Sequence, residues 1–460
     1  MYKVDFQKPI HVHFIGIGGI SMSGLAEILL QEGFTVSGSD MKESEITSIL
    51  KNLGATVYIG QVAENIDDSI DLVVYTAAIH ESNPEFAEVK RRNIPMLSRA
   101  QLLGQIMLNY KYGIAVSGTH GKTTTTSMLS YVLLEAQTDP TISIGGMLDA
   151  IGGNIRVGQS EYFVTEACEY TNSYHAFHPY ISIILNVDAD HLDFFSGIEE
   201  IADSFKTFAE LLPKDGLLVI NGDMQYYPHV TKDVKSKIIT FGMSEGNDYS
   251  AADIVFDEEG HPTYTLVVRG EKQDRISLHA TGMHNVMNSL SVVAVADFLG
   301  IDRSATLAGL LKCSSAKRRF EHKGVTDFGV KIVDDYAHHP TEIKATLAAA
   351  KNTPHNALWC IFQPHTYTRT KALLDDFGEA LSICDHVLLA DIYAAREKDT
   401  GLVSSKDVCE KINANGGNAI YLGDFESITD YVKKNCKKND LLITMGAGNV
   451  DSIGDSLLKK

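Results

Sequence analysis

Long apolar runs are missing from this chain. No stretch approaches the ~18 consecutive apolar residues that cross a bilayer, so membrane insertion is not expected. Met1 to Pro9 is mixed and polar, without the apolar segment of a secretory signal. Cysteine is sparse: Cys168, Cys313, Cys360, Cys384, Cys409 and Cys436 stand far apart, with no CxxC pair. That spacing argues against a disulfide frame or a structural zinc site and reads as the reduced thiols of a cytoplasmic protein. Positive charge is also short. Forty Lys and Arg against fifty-nine Asp and Glu give a formal charge of −19, the wrong sign for nonspecific nucleic-acid binding. Internal repeats, heptads and low-complexity tracts are absent, so solenoids and coiled coils are set aside. What is plentiful is ordinary globular material: 460 residues, 44% hydrophobic, enough for about three domains. Nothing in this composition fixes an oligomeric state.

The pattern divides into three α/β units, 1–108, 109–315 and 316–460. The first has a β-rich run, Ile10 to Ile15, then Gly16-Ile17-Gly18-Gly19, then apolar residues at helical spacing (Met22, Leu25, Ala26, Leu29, Leu30). A second strand, Thr35 to Ser39, ends at Asp40, and Asp71 to Thr76 makes a third. Strand, glycine turn, helix, strand is the signature of a Rossmann-like parallel sheet. The second unit opens with the strand Gly113 to Ser117, which feeds Gly118-Thr119-His120-Gly121-Lys122-Thr123-Thr124 and a helix. Ile181 to Asn186 and Leu217 to Ile220 read as further strands of that sheet. Ile238 to Phe241, Ile254 to Phe256 and Tyr264 to Val268 suggest an added antiparallel flap, and Met287 to Leu299 a buried helix. A third unit follows the polar segment Cys313 to Lys317, with strands at Val330 to Val333, Leu358 to Phe362, His386 to Leu389 and Leu441 to Met445.

The strongest chemical signal is Gly118 to Thr123. Backbone N–H groups of a turn entering a helix make a nest for phosphate oxygens. Lys122 would place a charge on the β/γ-phosphates, and the Thr123 hydroxyl would reach Mg²⁺. The longer GxxxxGK[ST] form is not met, since Val116 stands at its first glycine. Carboxylates to complete a magnesium shell stand at strand ends: Glu166, with Glu169 three residues on, and the run Asn186 to His191. The Gly16 turn departs from GxGxxG at Ser21. It is compatible with a diphosphate at a helix N-terminus, with NAD, or with tight strand-to-helix packing alone. The third unit starts with Lys317-Arg318-Arg319. Two of its strands end in Asp334-Asp335-Tyr336-Ala337-His338-His339-Pro340 and in Gln363-Pro364-His365-Thr366-Tyr367-Thr368-Arg369. Functional groups of open α/β sheets gather at such strand ends.

Taken in order, these segments resemble the Mur ligase family. Thr281 to Asn288 joins them, and together they span essentially the whole chain. The resemblance implies a cytoplasmic, ATP- and Mg²⁺-dependent ligase of peptidoglycan precursor synthesis, with three domains that take the UDP-sugar, ATP and the amino acid. It is nearest the branch that joins L-alanine to UDP-N-acetylmuramate through an acyl phosphate.

By that resemblance Gly16, Gly18, Gly19, Ser39 and Asp40 serve the UDP-sugar. Gly118, Thr119, His120, Gly121, Lys122, Thr123, Thr124, Asn285, Asn288, Arg319 and Asp335 serve ATP. Thr123, Glu166 and His191 serve metal, and His339, His365 and Arg369 face the amino acid. Lys122, His191, Arg319 and His339 would carry catalysis, with His339 or His191 assisting amine deprotonation. Several branches carbamoylate a lysine after the metal histidine, and Lys206 stands at that offset. Two departures stand out. Many relatives read Glu-Ala-Asp-Glu-Ser-Asp where this chain has Glu166-Ala167-Cys168-Glu169-Tyr170-Thr171, and many carry arginine at the place of Thr366. A recycling ligase that attaches a ready-made tripeptide, and an ATP-driven switch without ligation, are the competing readings.

Overall fold

A computed structural model describes residues 2–76, 78–192, 194–313, 317–395, 397–399 and 401–459. Part of the polar segment taken as the second boundary, 314–316, lies outside them. Three sheets follow one another along the chain. The first is wholly parallel, in the spatial order Thr56–Ile59, Thr35–Asp40, His11–Ile15, Leu72–Tyr75, Met96–Ser98. Chain order reverses beside His11–Ile15, so its C-terminal end, where Gly16 begins the turn, opens at the switch point of the sheet. Helix Pro84–Arg92 starts where Asn83 caps the Glu85 and Phe86 amides and Pro84 presets the first turn. It stops at Asn93, which adopts φ +56°.

The central sheet has ten strands. Tyr112–Ser117 lies between Tyr162–Glu166 and Ile181–Ile184, all parallel and nearly all buried. Their common C-terminal edge therefore brings Gly118, Glu166 and Asn186 together, although the sequence separates them widely. Leu217–Asn221 and Lys237–Phe241 continue the parallel array. The flap anticipated from the sequence is thus smaller at its start. Ile238 to Phe241 belongs to the parallel core, and the antiparallel part is Tyr249–Phe256, Pro262–Val268 and Glu271–Ser277. Short length had suggested a flap, but Ile239 and Phe241 are buried against helix Met283–Leu299, as a core strand requires. That helix starts one turn earlier than the apolar pattern did, placing Asn285 and Asn288 in its first turns.

The third sheet runs Glu321–Val325, Lys331–Asp335, Leu441–Met445, Leu358–Phe362, His386–Ala390, Ala419–Gly423, parallel except for its first strand. Of its two edge strands, Glu321–Val325 carries too little apolar alternation to be seen in the sequence, whereas Ala419–Gly423 carries the apolar run Ala419 to Leu422. The six cysteines form no disulfide among the described residues. Among the described residues no helix is long and apolar enough to cross a membrane.

Candidate active site

The phosphate loop is shaped by two glycines in the left-handed region, Gly118 at φ +143° and Gly121 at φ +87°. A side chain at Gly118 would stand 2.9 Å from Leu185 Cβ, and one at Gly121 would stand 3.0 Å from Asn288 Oδ1. Asn186 clamps the turn from the next strand. It accepts from the His120 amide at 2.8 Å and donates back to the His120 carbonyl at 3.0 Å. Helix Lys122–Glu135 follows without a side-chain cap, so its first amides point out of the loop unclaimed by one.

Lys122 is folded back onto the loop, donating to the carbonyls of Gly118 and Thr119 and to Glu169 at 3.0 Å. Burial draws its ammonium pKa down, but the buried Glu169 carboxylate outweighs this and holds it above the ordinary lysine value. Thr123 Oγ1 donates to Glu166 at 3.1 Å, and the other Glu166 oxygen accepts from the Gly145 amide at 2.7 Å. A hydroxyl and a carboxylate at hydrogen-bond distance beside the phosphate nest are a hard-oxygen pair, a donor set that fits Mg²⁺. His191, at φ +54°, lies 3.8 Å from Glu169 and against the Tyr170 ring.

The third unit closes over this loop. A cavity of about 260 Å³ between the two is lined on one side by His120, Gly121, Thr123, Thr124, Asn285 and Asn288, and on the other by Arg319, Asp335 and Glu342. Asn288 donates to Asn285 at 3.0 Å, and Asn285 to the Thr281 carbonyl at 2.8 Å, which fixes both amides. Asp335 accepts from the Phe320 amide at 2.9 Å and the Ala337 amide at 2.7 Å. Burial nevertheless pushes its carboxyl up to about 6, against the pull of Arg319. Glu342 gathers the basic side chains of the seam: His120 at 3.4 Å, His338 at 3.2 Å and Arg319 at 3.7 Å. Burial disfavours the charge of His120, but Asp188 and Glu342 overcome this and raise it to about 9. Across the same seam Arg369 donates to Asp190 at 2.9 Å, and His339 Nε2 donates to the Ala189 carbonyl at 3.0 Å.

A second cavity, about 290 Å³, lies on the far side of that seam and is lined by Asp190, His191, His338, His365, Thr366 and Arg369, among others. Desolvation pushes His365 down to about 4, with the charge of Arg369 adding to the effect, so its ring is neutral. In the first unit the Gly16 turn is closed by the neighbouring strand. Gly16 and Ile17 donate to the Ser39 carbonyl, and Gly18 donates to Asp40 at 2.9 Å.

Sequence models of three domain families match consecutive stretches: the Mur ligase family catalytic domain over 11–111, the Mur ligase middle domain over 116–296, and the Mur ligase glutamate ligase domain over 318–448. The chain is 56% identical over its full length, and the full length of the relative, to the UDP-N-acetylmuramate–L-alanine ligase of Agathobacter rectalis. Its likeness to that of Lachnospira eligens is the same. The chain belongs to the Mur ligase family. Among solved structures it is similar to UDP-N-acetylmuramate-alanine ligase from Thermotoga maritima, with TM-score 0.78, 27% identity, and 97% and 98% of the two chains covered. A murein peptide ligase from Psychrobacter arcticus follows at TM-score 0.68 and 26% identity, with 98% of each chain covered.

In this Mur ligase several anticipated residues stand elsewhere than the sequence suggested. Of the tandem histidines, His338 and not His339 lines the second cavity. His339 is the N-cap of helix Pro340–Lys351, so its Nδ1 turns back to the Thr341 amide while Nε2 is held at Ala189. Both ring nitrogens are spent, and it has no free lone pair for a base. Lys206 is an ammonium paired with Asp233 at 2.6 Å and Glu210 at 3.7 Å. A carbamate there would set an anion beside two carboxylates, which corrects that expectation. Ser39 is buried with its hydroxyl on Glu85, so only its backbone serves the turn. Arg318 is structural: it reaches Asp334 and the Gly446 and Gly448 carbonyls, pinning the last glycine turn. Asp188, Asp190, His284 and Glu342 complete the two cavities, and Glu169 holds Lys122 beside them. Glu169 stood with Glu166 among the anticipated carboxylates. Glu342 stands three residues past His339 in helix Pro340–Lys351, a usable helix-turn signal, whereas nothing local marked His284.

Proposed function

We propose that this chain joins L-alanine to UDP-N-acetylmuramate while splitting ATP to ADP and phosphate, a step of peptidoglycan precursor synthesis. In this reading 1–108 takes the UDP-sugar, 109–315 takes ATP and 316–460 takes the amino acid. The observation that carries it is the seam cavity, where His120, Thr123 and Asn288 of one unit face Arg319 and Asp335 of another, with Glu166 bonded to Thr123 behind that wall. A triphosphate bound there would touch both units at once, and a neighbouring cavity offers room for a second substrate.

A lactyl carboxylate is a poor acyl donor because its oxygen leaves badly. One carboxylate oxygen attacks the γ-phosphorus, the bond to the β–γ bridging oxygen breaks, and ADP departs from an acyl phosphate. The amine of alanine then attacks the acyl carbon, inorganic phosphate leaves and a proton is lost from nitrogen. Lys122 exchanges its loop carbonyls for phosphate oxygens, and Arg319 adds charge from the opposite wall where the transferring group needs it. Thr123 and Glu166 would hold Mg²⁺, which when bound neutralises phosphate charge; His191 beside Glu169 is the candidate for a second ion. Arg369 is the cation available to an amino-acid carboxylate. His338 is placed to take the amine proton: its Nδ1–H donates to the Tyr336 carbonyl at 3.0 Å, leaving Nε2 as the acceptor nitrogen. Burial lowers its pKa, so the ring is neutral and able to accept. Closure of the third unit over the second keeps water from the acyl phosphate.

The test is phosphate release with ATP, Mg²⁺ and UDP-N-acetylmuramate across the twenty amino acids and the intact tripeptide. L-Alanine should stimulate release and give the amide product. A response to the tripeptide alone would make this a recycling ligase, and release indifferent to the sugar nucleotide would leave only a nucleotide switch.

A further inference from the structure

His120, Asp188 and His339 form a cluster that phosphoryl transfer does not use. One nitrogen from each ring and one carboxylate oxygen all lie within 4.8 Å of one another. His120 Nε2 is 3.3 Å and His339 Nδ1 is 3.9 Å from the same oxygen, Asp188 Oδ2. Ligands of a tetrahedral ion bound at ~2.0–2.1 Å stand roughly 3.3 Å apart, so small side-chain movements bring the three into a coordination sphere.

The surroundings argue for more than coincidence. A histidine that binds metal through one nitrogen is held by a hydrogen bond from the other, to a carboxylate or a backbone carbonyl. Both forms occur here. His120 turns Nδ1 to Glu342 at 3.4 Å, and His339 donates Nε2–H to the Ala189 carbonyl at 3.0 Å. An ion would take the His339 Nδ1 lone pair in exchange for its long 3.3 Å cap bond from the Thr341 amide. Thr341 Oγ1 in turn bonds Asp188 Oδ2 and orients the carboxylate. The rings are mostly buried, with side-chain exposures of 13% and 5%. The seam cavity touches His120 and Asp188, so a fourth position is open to a water or a phosphate oxygen.

We propose that His120, Asp188 and His339 form a site for a borderline divalent transition metal such as Zn²⁺, which bridges the phosphate loop to the third unit and, when bound, arrests turnover. The donor types separate it from Mg²⁺. Two imidazoles and one carboxylate suit Zn²⁺ or Co²⁺, whereas Mg²⁺ favours oxygen pairs such as Thr123 and Glu166. The ion takes the place of the proton that His120 carries between Asp188 and Glu342. Because its ligands come from both units, the ion must slow their separation, and with it product release.

The experiment titrates the full-length protein with Co²⁺ in millimolar Mg²⁺ and no substrate, so that its outcome does not depend on which substrates the ligase takes. One equivalent should give the intense visible bands of four- or five-coordinate cobalt, and Zn²⁺ should abolish them. His120→Asn and His339→Asn should each weaken Co²⁺ by at least ~10-fold, and Glu342→Gln by about 10-fold, with unfolding midpoints in EDTA confirming that the variants are folded. In turnover assays of the wild type, Zn²⁺ inhibition should persist when Mg²⁺ is raised tenfold. Weak six-coordinate bands, unchanged affinity in both folded histidine variants, or relief of inhibition by Mg²⁺ would each overturn the site.

Discussion

Two glycine turns in this molecule look alike and are wired differently. Gly16 and Gly118 each follow a buried parallel strand, each adopt positive φ and each lead into a helix that no side chain caps. In each, an amide of the turn is claimed by a residue at or just past the C-terminal end of an adjacent parallel strand: Gly18 by Asp40, His120 by Asn186. The clamp is an anion in the first turn and a neutral amide in the second. A phosphate approaching the first turn meets a carboxylate already seated on one N–H and relies on the helix amides beyond it. A phosphate approaching the second meets no clamp charge, and a lysine besides. On the function proposed above, one strand–turn–helix layout thus serves to hold a substrate in one place and to stabilise developing charge in the other.

The sharpest way to break that contrast is to remove the lysine. Lys122→Ala should lower kcat by at least ~10²-fold, the scale of one lost electrostatic donor, with the fold retained. Steady-state kinetics on a variant with wild-type far-UV dichroism decides it, and near-normal turnover would reduce the two turns to one kind. Arg319→Ala should follow closely, with kcat down by ~10²-fold while calorimetry finds UDP-N-acetylmuramate affinity nearly unchanged. Normal turnover at saturating ATP would mean that Arg319 only decorates the seam.

The parts of this machinery that a sequence reader can see are those governed by local periodicity. Strand-turn-helix at Gly16 and at Gly118 was legible, because alternating burial and glycine punctuation are properties of neighbours in sequence. So were Lys122, Thr123 and Glu166, each at the end of its own apolar run. What was not legible depends on packing between distant segments. Whether His338 or His339 faces a cavity is set by which of them caps helix Pro340–Lys351. Whether Lys206 is modified or ion-paired is set by Asp233 across a helix packing contact. Glu321–Val325 is a polar, largely exposed edge strand that lacks the run marking a core strand. Ala419–Gly423, by contrast, has an apolar run, Ala419 to Leu422, packed on both faces and legible in principle.

The first turn can be tested by steric and by charge changes. At Gly18 a new Cβ would stand 2.8 Å from Asp40 Oδ2 and 3.0 Å from Thr47 Cγ2. Gly18→Val should therefore push the clamp aside and weaken UDP-N-acetylmuramate by about tenfold, the scale of one lost hydrogen bond to a charged group, leaving ATP affinity unchanged. Asp40→Asn makes the first clamp resemble the second. It keeps an acceptor for the Gly18 amide and removes the anion, so affinity should stay within about threefold of wild type. A loss in Asp40→Asn as large as that in Gly18→Val would show that the carboxylate itself contacts the ligand and that the charge contrast was misread.

The smallest expected effect concerns the wall opposite the second turn. Asp335 is buried, and its carboxyl titrates near 6 in the folded chain against 3.8 as a free side chain. The folded state binds that proton more tightly than the unfolded state does. Its stabilising contribution is therefore complete below pH 3.8 and is lost as pH rises through about 6. Above that, burial of the charged carboxylate costs the protein about 3 kcal/mol, the net of desolvation after the pull of Arg319. Asp335→Asn cannot keep both backbone contacts, because one amide position donates where the Phe320 or Ala337 N–H also donates. The variant is thus offset to lower stability at every pH, but it has no proton to exchange. Denaturant unfolding between pH 4 and 7 should give a stability difference between wild type and variant that narrows as pH rises. A difference independent of pH would mean that Asp335 is ionised throughout this range, held by Arg319 more strongly than by its burial, and that the wall facing the phosphate loop carries one more fixed negative charge than the folded geometry implies.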